Sequence, residues 1–180
     1  MHESESNDLW VFGYGSLMWR PGFEFEERCP ALVHGYHRSL CIYSHVHRGT
    51  PEKPGLVLGL DRGGACRGLA FRVKAARREA TLDYLREREQ VTSVYVETWL
   101  TARLQVDRAV TAVAYVVDPN HAQYAGRLPH HELVRLVRQG RGMSGENIDY
   151  IRSTYEHLRQ AGIDDPDLAA IVSDLASSLT

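Results

Sequence analysis

Apolar residues in the first two-thirds of the chain come in short runs or on alternate positions. In the last third they recur at helical spacing. Leu9-Trp10-Val11-Phe12 is a continuous apolar run and predicts a buried strand that ends at Gly13. Residues 32–43 carry β-branched and aromatic side chains around Gly35 and read as two strands or one bent strand. Residues 56–60 predict a short buried strand, Asp61-Arg62-Gly63-Gly64 a turn, and residues 66–73 its hairpin partner. The period then becomes helical from Ala75 to about Glu89. Strands follow over 91–104 and 109–117, with Asp107-Arg108 at the turn between them and Asp118-Pro119-Asn120 as the stop. Helices are predicted over 130–139, 145–160 and 167–179.

Strands first and helices later, joined by hairpin-type links, place the chain in the α+β class with a mainly antiparallel sheet. Six or seven strands with glycine bends can curl into a small barrel flanked by helices. No internal repeat, low-complexity tract or linker interrupts the pattern, so residues 1–180 are expected to form one domain. The acidic, polar residues 1–8 are expected to be disordered, and they are the opposite of a signal peptide.

Composition narrows the function. With 43% hydrophobic and 24% charged residues in 180, the chain is a globular protein able to bury a sizeable core. A net charge of −2 supplies no positive field to collect nucleic acid and no strong attraction to a membrane surface. The apolar runs are too short to span a bilayer. Cys29, Cys41 and Cys66 are widely spaced and form no C-x-x-C pair, which fits a reducing, cytoplasmic compartment and structural burial better than a catalytic thiol. Nine histidines include no H-x-x-x-H or H-E-x-x-H pattern. His45 and His47 alternate but lack a third ligand at usual spacing, so no metal is expected.

Three places carry candidate chemistry. The first is the exit of the opening strand, Gly13-Tyr14-Gly15-Ser16-Leu17-Met18. A glycine-rich strand exit can aim several backbone N–H groups at an anion or a developing oxyanion; it is also an ordinary turn. The second is the end of the predicted helix. Leu82, Leu85 and Glu89 share one face, whereas Glu87 lies about 200° from Leu85 and faces water. A carboxylate on the buried side is desolvated and titrates above its ordinary value, which suits a general acid/base. The competing reading is a helix that frays before Glu89 and leaves it to pair with Arg86 or Arg88. The third is the loop around Arg48, ahead of Gly49-Thr50-Pro51, where an arginine can hold a carboxylate bidentately or sit in a surface salt bridge.

Two motifs are decoys. Gly140-Arg141-Gly142-Met143-Ser144-Gly145 is a literal G-x-G-x-x-G, but a helix and not a strand precedes it. It reads as a helix C-cap at Gly140 and a cap for the next helix at Ser144, and no cofactor is expected. Ser16 sits in no nucleophile elbow, because Tyr14 and Met18 occupy the positions that glycine would need.

Four segments, in order, resemble the ChaC-type gamma-glutamylcyclotransferases, which act on glutathione. They are Trp10 through Trp19; Ser44-His45-Val46-His47-Arg48-Gly49-Thr50-Pro51 with Pro54-Gly55; Arg88-Glu89 leading to Tyr95 and Trp99; and Gly142-Met143-Ser144-Gly145-Glu146-Asn147-Ile148-Asp149-Tyr150. The resemblance runs from Trp10 to the final helix. It implies Glu89 as the catalytic acid and the Tyr14–Leu17 turn, with Gly13 and Met18, as the substrate cradle. It also makes the Arg48 loop a site-lining loop. Asn147 and Tyr150 share a helical face, and the Tyr150 hydroxyl is either directed at Glu89 or the substrate or is that of a satisfied core tyrosine.

The implied reaction closes the gamma-glutamyl amide of glutathione on its own alpha-amine and gives 5-oxoproline and Cys-Gly. No metal or cofactor is implied. The partner is a small molecule, and a monomer is expected. The rival readings are the same cyclisation on other gamma-glutamyl amines or dipeptides, a binding module that has lost its acid, and an acyl hydrolase using Ser16.

Overall fold

The structure is a computed structural model and describes residues 7–90, 93–105 and 107–177. Two compact units form: the described residues up to Ser39 with Leu60–Asp118, and Leu40–Gly59 with the described residues from Pro119 onward.

The first unit carries most of the barrel. Strands β1 (Leu9–Gly13), β2 (Glu27–Ser44), β3 (Gly55–Val73), β4 (Tyr95–Gln105) and β5 (Arg108–Val117) close in the order β1-β3-β2-β4-β5. β2 beyond Ser39 and β3 before Leu60 belong to the second unit. The β1–β5 seam is parallel, while β1–β3, β2–β4 and β4–β5 are antiparallel. The expected α+β class with a mainly antiparallel barrel is therefore present, built from five strands and not six or seven.

The difference lies at glycines. Residues 32–43 belong to one strand, and the expected turn at Asp61–Gly64 does not reverse the chain, because β3 runs through it. Gly63 and Gly64 take φ of +101° and +69°, and Gly35 in β2 takes +91°. His37 of β2 lies against this bend and donates to the Gly63 carbonyl at 3.0 Å. Left-handed glycines here bend a long ribbon without ending its pairing.

Helix α1 (Arg78–Glu89) follows a 3₁₀ turn at Ala75–Arg77. Leu82 and Leu85 enter one apolar cluster with Leu9, Val11, Leu17, Phe71, Val73, Val113 and Tyr115. Each fully buried leucine contributes about 1.5–3 kcal/mol. The same cluster thus holds the turn after β1, through Leu17, and the helix that ends at Glu89. Asp8, within the stretch expected to be disordered, is fixed by Arg72 at 2.8 Å and by the Ala75 N–H at 2.9 Å. Residues 1–6 lie outside the described residues.

The second unit holds α2 (His130–Gln139), the short hairpin β6 (Arg141–Gly142) and β7 (Gly145–Glu146), α3 (Asn147–Gln160) and α4 (Pro166–Ser177). The three helices contact one another and bury Val134, Val137, Ile151, Leu158, Leu168, Ile171 and Leu175. Ser144 does not cap α3 as the sequence suggested; α3 starts after Glu146 without a side-chain cap. The Ser144 hydroxyl is instead hydrogen-bonded to His47 Nδ1 at 2.9 Å, and the N–H groups of Met143 and Ser144 bond the carbonyls of Val46 and His47. The hairpin is thereby laid along the 46–47 segment. The expected strand at 91–92 and the end of the last helix at 178–179 fall outside the described residues. Among the described residues, no helix is long and apolar enough to cross a membrane.

Candidate active site

The chain leaves β1 at Gly13 and turns through Tyr14 and Gly15 into a 3₁₀ turn over Ser16–Met18. The Met18 N–H bonds the Gly15 carbonyl at 2.9 Å, and the Arg20 N–H bonds the Ser16 carbonyl at 2.8 Å. The N–H groups of Ser16 and Leu17 have no acceptor among the described residues. Tyr14, Leu17 and Met18 are buried, and Ser16 is exposed. Arg38 from β2 donates from Nε to the Tyr14 carbonyl at 2.7 Å and from Nη2 to the Arg67 carbonyl at 2.7 Å, so the bend is tied to two strands.

Close backbone packing shapes this bend. A Cβ at Gly68 would lie 2.3 Å from the Gly13 carbonyl oxygen and 2.9 Å from the Phe12 ring. Gly68→Ala therefore has to displace the Gly13 carbonyl. We expect a several-fold loss of kcat with an unchanged far-UV spectrum; wild-type turnover in this variant would show that the position of the bend is immaterial.

Glu89 is the last residue of α1, and its side chain keeps 17% of its exposure. The helix does not fray before it, since the Gln90 N–H closes on the Arg86 carbonyl at 3.0 Å. Burial pushes the Glu89 carboxyl above the usual carboxylate range, and the charge of Arg88 opposes that rise. Glu87 is exposed, as the spacing required. Glu87→Gln is expected to leave kcat/KM within about twofold, a change below roughly 0.5 kcal/mol. A large loss on assaying that variant would point to the wrong acid.

The two arginines named as possible partners divide. Arg86 grips Glu97 of β4 bidentately, at 2.9 and 3.1 Å, and the buried Tyr115 of β5 donates its hydroxyl to Glu97 at 2.8 Å. Glu97 is accordingly held below the usual carboxylate range, chiefly by the Arg86 hydrogen bonds. The Tyr115 hydroxyl is held above its usual range by burial first, then by its bond to Glu97 and the charges of Glu97 and Glu89. Arg88 stays with Glu89: its Nε lies 3.5 Å from Glu89 Oε1. Its Nη2 donates to the Ser16 hydroxyl at 3.1 Å, and its Nη1 to the Arg20 and Pro21 carbonyls and the Tyr84 hydroxyl.

One guanidinium therefore joins the acid to the turn. Sequence reasoning did not find this hub, nor Arg38, because spacing along a helix says nothing of a distant loop. The partner of Ser16 is an arginine, which is always protonated and cannot serve as a base.

In the second unit Arg48 and Tyr150 come together. The Arg48 guanidinium lies 5.5 Å over the Tyr150 ring and donates to the Glu146 carbonyl at 3.1 Å. Among the described residues it makes no ion pair, so the salt-bridge reading of Arg48 is not met. The Tyr150 hydroxyl accepts the Leu58 N–H at 3.0 Å. Asn147 is buried and bonds both polar groups of Leu56. Among the described residues no cluster of three or more His, Cys, Asp or Glu could hold a metal ion.

Comparison with known proteins gives the family and the fold. The family model described as ChaC-like protein matches residues 9–177. The chain is 35% identical over 164 residues to the glutathione-specific gamma-glutamylcyclotransferase of Escherichia coli (strain K12), spanning 91% of this chain and 71% of that protein. It is 33% identical over 184 residues to the glutathione-specific gamma-glutamylcyclotransferase 1 of Homo sapiens, spanning 99% and 83% of the two chains. The fold matches the crystal structure of a glutathione-specific gamma-glutamyl cyclotransferase from yeast with a TM-score of 0.82, at 21% identity, over 96% of this chain and all of that one.

Proposed function

The chain belongs to the ChaC-like protein family, and on that premise we propose that it is a glutathione-specific gamma-glutamylcyclotransferase with Glu89 as its general acid/base. The observation that carries the assignment is the position of Glu89: a half-buried carboxylate at the end of α1, joined through one guanidinium to the turn after β1.

The chemistry follows from the substrate. The alpha-amine of glutathione is already tethered to its gamma-carbonyl, so holding the chain folded removes much of the entropic barrier. Glu89 takes a proton from the alpha-ammonium. The amine nitrogen then bonds the gamma-carbon, and the carbonyl becomes a tetrahedral oxyanion next to the N–H groups of Ser16 and Leu17. The amide bond to the cysteinyl nitrogen breaks as Glu89 returns the proton to that nitrogen, and the ring nitrogen gives up its second proton, which the released amine takes up as its ammonium form. One bond forms, one breaks, no water is consumed, and 5-oxoproline and Cys-Gly leave. A desolvated carboxylate is a stronger base than one in water, which is what the first step needs.

Gly13, Tyr14, Gly15, Leu17 and Met18 shape the cradle in this reading, and Ser16 contributes a hydrogen bond. Arg48 and Tyr150 are assigned to substrate binding, with the arginine offering its charge to a carboxylate of the tripeptide. The reaction is placed within a single chain, in the cytoplasm. Free cysteines at Cys29, Cys41 and Cys66 are in keeping with a reducing compartment.

The test is incubation of the pure protein with glutathione, followed by measurement of 5-oxoproline and Cys-Gly. Both products are expected in equal amounts. Equal turnover of gamma-Glu-Ala would broaden the substrate class to gamma-glutamyl dipeptides. Release of free glutamate, with covalent labelling of Ser16 by a serine-trapping reagent, would replace the reading by hydrolysis.

A further inference from the structure

We propose that Arg88 is the positioning residue of the site: its guanidinium fixes the Glu89 carboxylate against the Ser16 turn and so sets where the proton is taken and returned. The proposal rests on the assignment of Glu89 as the general acid/base.

Four contacts of one side chain carry it. Nε faces Glu89 Oε1 at 3.5 Å, Nη2 donates to Ser16 Oγ at 3.1 Å, and Nη1 donates to the Arg20 carbonyl at 2.6 Å and to the Tyr84 hydroxyl at 3.2 Å. The acid, the turn and the segment after the turn therefore share one rigid planar fork. Arg88 and Glu89 keep 23% and 17% of their side-chain exposure, so their pairing is less open to solvent than a surface pair. Among the described residues Glu89 has no other ion-pair partner and accepts no hydrogen bond. Among the described residues Arg88 is thus the polar contact that selects its rotamer. Arg86, two residues earlier, cannot substitute, because Glu97 holds it.

The charged and titratable groups that face Glu89 are Arg88 of α1, whose charge opposes the rise caused by burial, and Tyr115 of β5, whose own titration the Glu89 charge pushes up. Tyr115 is bonded to Glu97 of β4, which is paired with Arg86. Of these, Arg88 alone stabilises the ionised form by direct contact. Its removal leaves burial unopposed, so Glu89 must titrate at higher pH.

The experiment compares wild-type protein with Arg88→Met and Arg88→Lys, below the melting midpoint of each. Cyclotransferase activity on glutathione is followed as a function of pH. Glu89 itself is titrated without substrate by 13C NMR of glutamate-labelled protein, with the signal assigned by Glu89→Gln. Arg88→Met is expected to lower kcat by tenfold or more with KM changed less than threefold. The acid limb of the kcat/KM profile and the Glu89 titration should both move to higher pH.

Arg88→Lys restores the charge without the fork. It should return the titration towards the wild-type position while leaving kcat at least threefold low, and this arm carries the test if Arg88→Met yields no folded protein. A fall in activity matching only the fraction unfolded, with the Glu89 titration unmoved, would overturn the proposal and leave Arg88 a structural staple. Because the NMR arm needs no substrate, it separates that failure from a failure of the glutathione assignment.

Discussion

Glu89→Gln is expected to abolish the release of 5-oxoproline from glutathione and to leave the fold intact. Glutamine keeps the length and one acceptor of the side chain, so neither the packing of α1 nor the turn after β1 has to move. It cannot take a proton from the alpha-ammonium or return one to the leaving amine, and loss of such a group typically lowers the rate by about 10²- to 10⁴-fold. Stability moves the other way. The Glu89 carboxyl titrates above its unfolded value because burial disfavours its charge. The folded state therefore binds the proton more tightly than the unfolded chain. Its contribution to stability is fully present below the unfolded pKa and is lost as pH rises through the folded pKa.

At neutral pH the ionised wild-type side chain is thus a net cost that glutamine does not bear. The Glu89→Gln protein should melt no lower than wild type at pH 7, and its advantage should shrink on acidification. Calorimetry across pH 4 to 7, alongside the product assay, checks both halves. A fully active variant, or one active in proportion to wild type at every pH, would remove Glu89 from the mechanism.

Sequence made the acid legible for a definite reason. Helical period is a local property, and Leu82, Leu85 and Glu89 declare one face without reference to the rest of the chain. The structure buries both leucines and half-buries the acid, while Glu87 stays in water. The opening strand and its glycine exit were legible in the same way, since a buried run followed by two nearby glycines is a local signal. Gly63 and Gly64 misled for the matching reason. Two adjacent glycines signal positive φ, which β3 does adopt, but whether the chain then reverses or bends is decided by the strand beside it. The β6–β7 hairpin was hidden likewise, because its partner at 46–47 lies far away in sequence. Arg88 was visible only as a charge near an acid. That its other nitrogens reach Ser16 and Arg20 depends on how the turn folds back over the helix end, and no periodicity encodes it.

Asn147→Leu should be the most destabilising single change in the second unit. Asn147 is fully buried at the start of α3. Its Oδ1 accepts the Leu56 N–H at 2.8 Å and its Nδ2 donates to the Leu56 carbonyl at 2.8 Å. The side chain thus does for Leu56 what a neighbouring strand would otherwise do, satisfying both backbone groups of a residue with no exposure of its own. Leucine has the same branched outline but is bulkier and offers neither group. Each orphaned buried donor or acceptor costs about 1–3 kcal/mol, so the pair amounts to roughly 2–6 kcal/mol, a large share of a small protein's stability.

The surroundings leave little room to recover this by relaxation. A Cβ at Gly55 would already stand 2.8 Å from Asn147 Oδ1 and 2.3 Å from the Arg48 carbonyl. Asn147→Asp separates the two bonds. Its carboxylate accepts the Leu56 N–H but sets a negative oxygen against the Leu56 carbonyl, so only the protonated acid fits. Its folded pKa must therefore lie above the unfolded value, and the variant should recover stability as pH falls and lose it as pH rises through that pKa. Urea titrations at pH 4.5 and 7.5 test this: Asn147→Leu should be weak at both and Asn147→Asp weak chiefly at the higher. Wild-type midpoints for Asn147→Leu would mean that Leu56 finds other partners and that the amide clasp is not what fixes α3 to the start of β3.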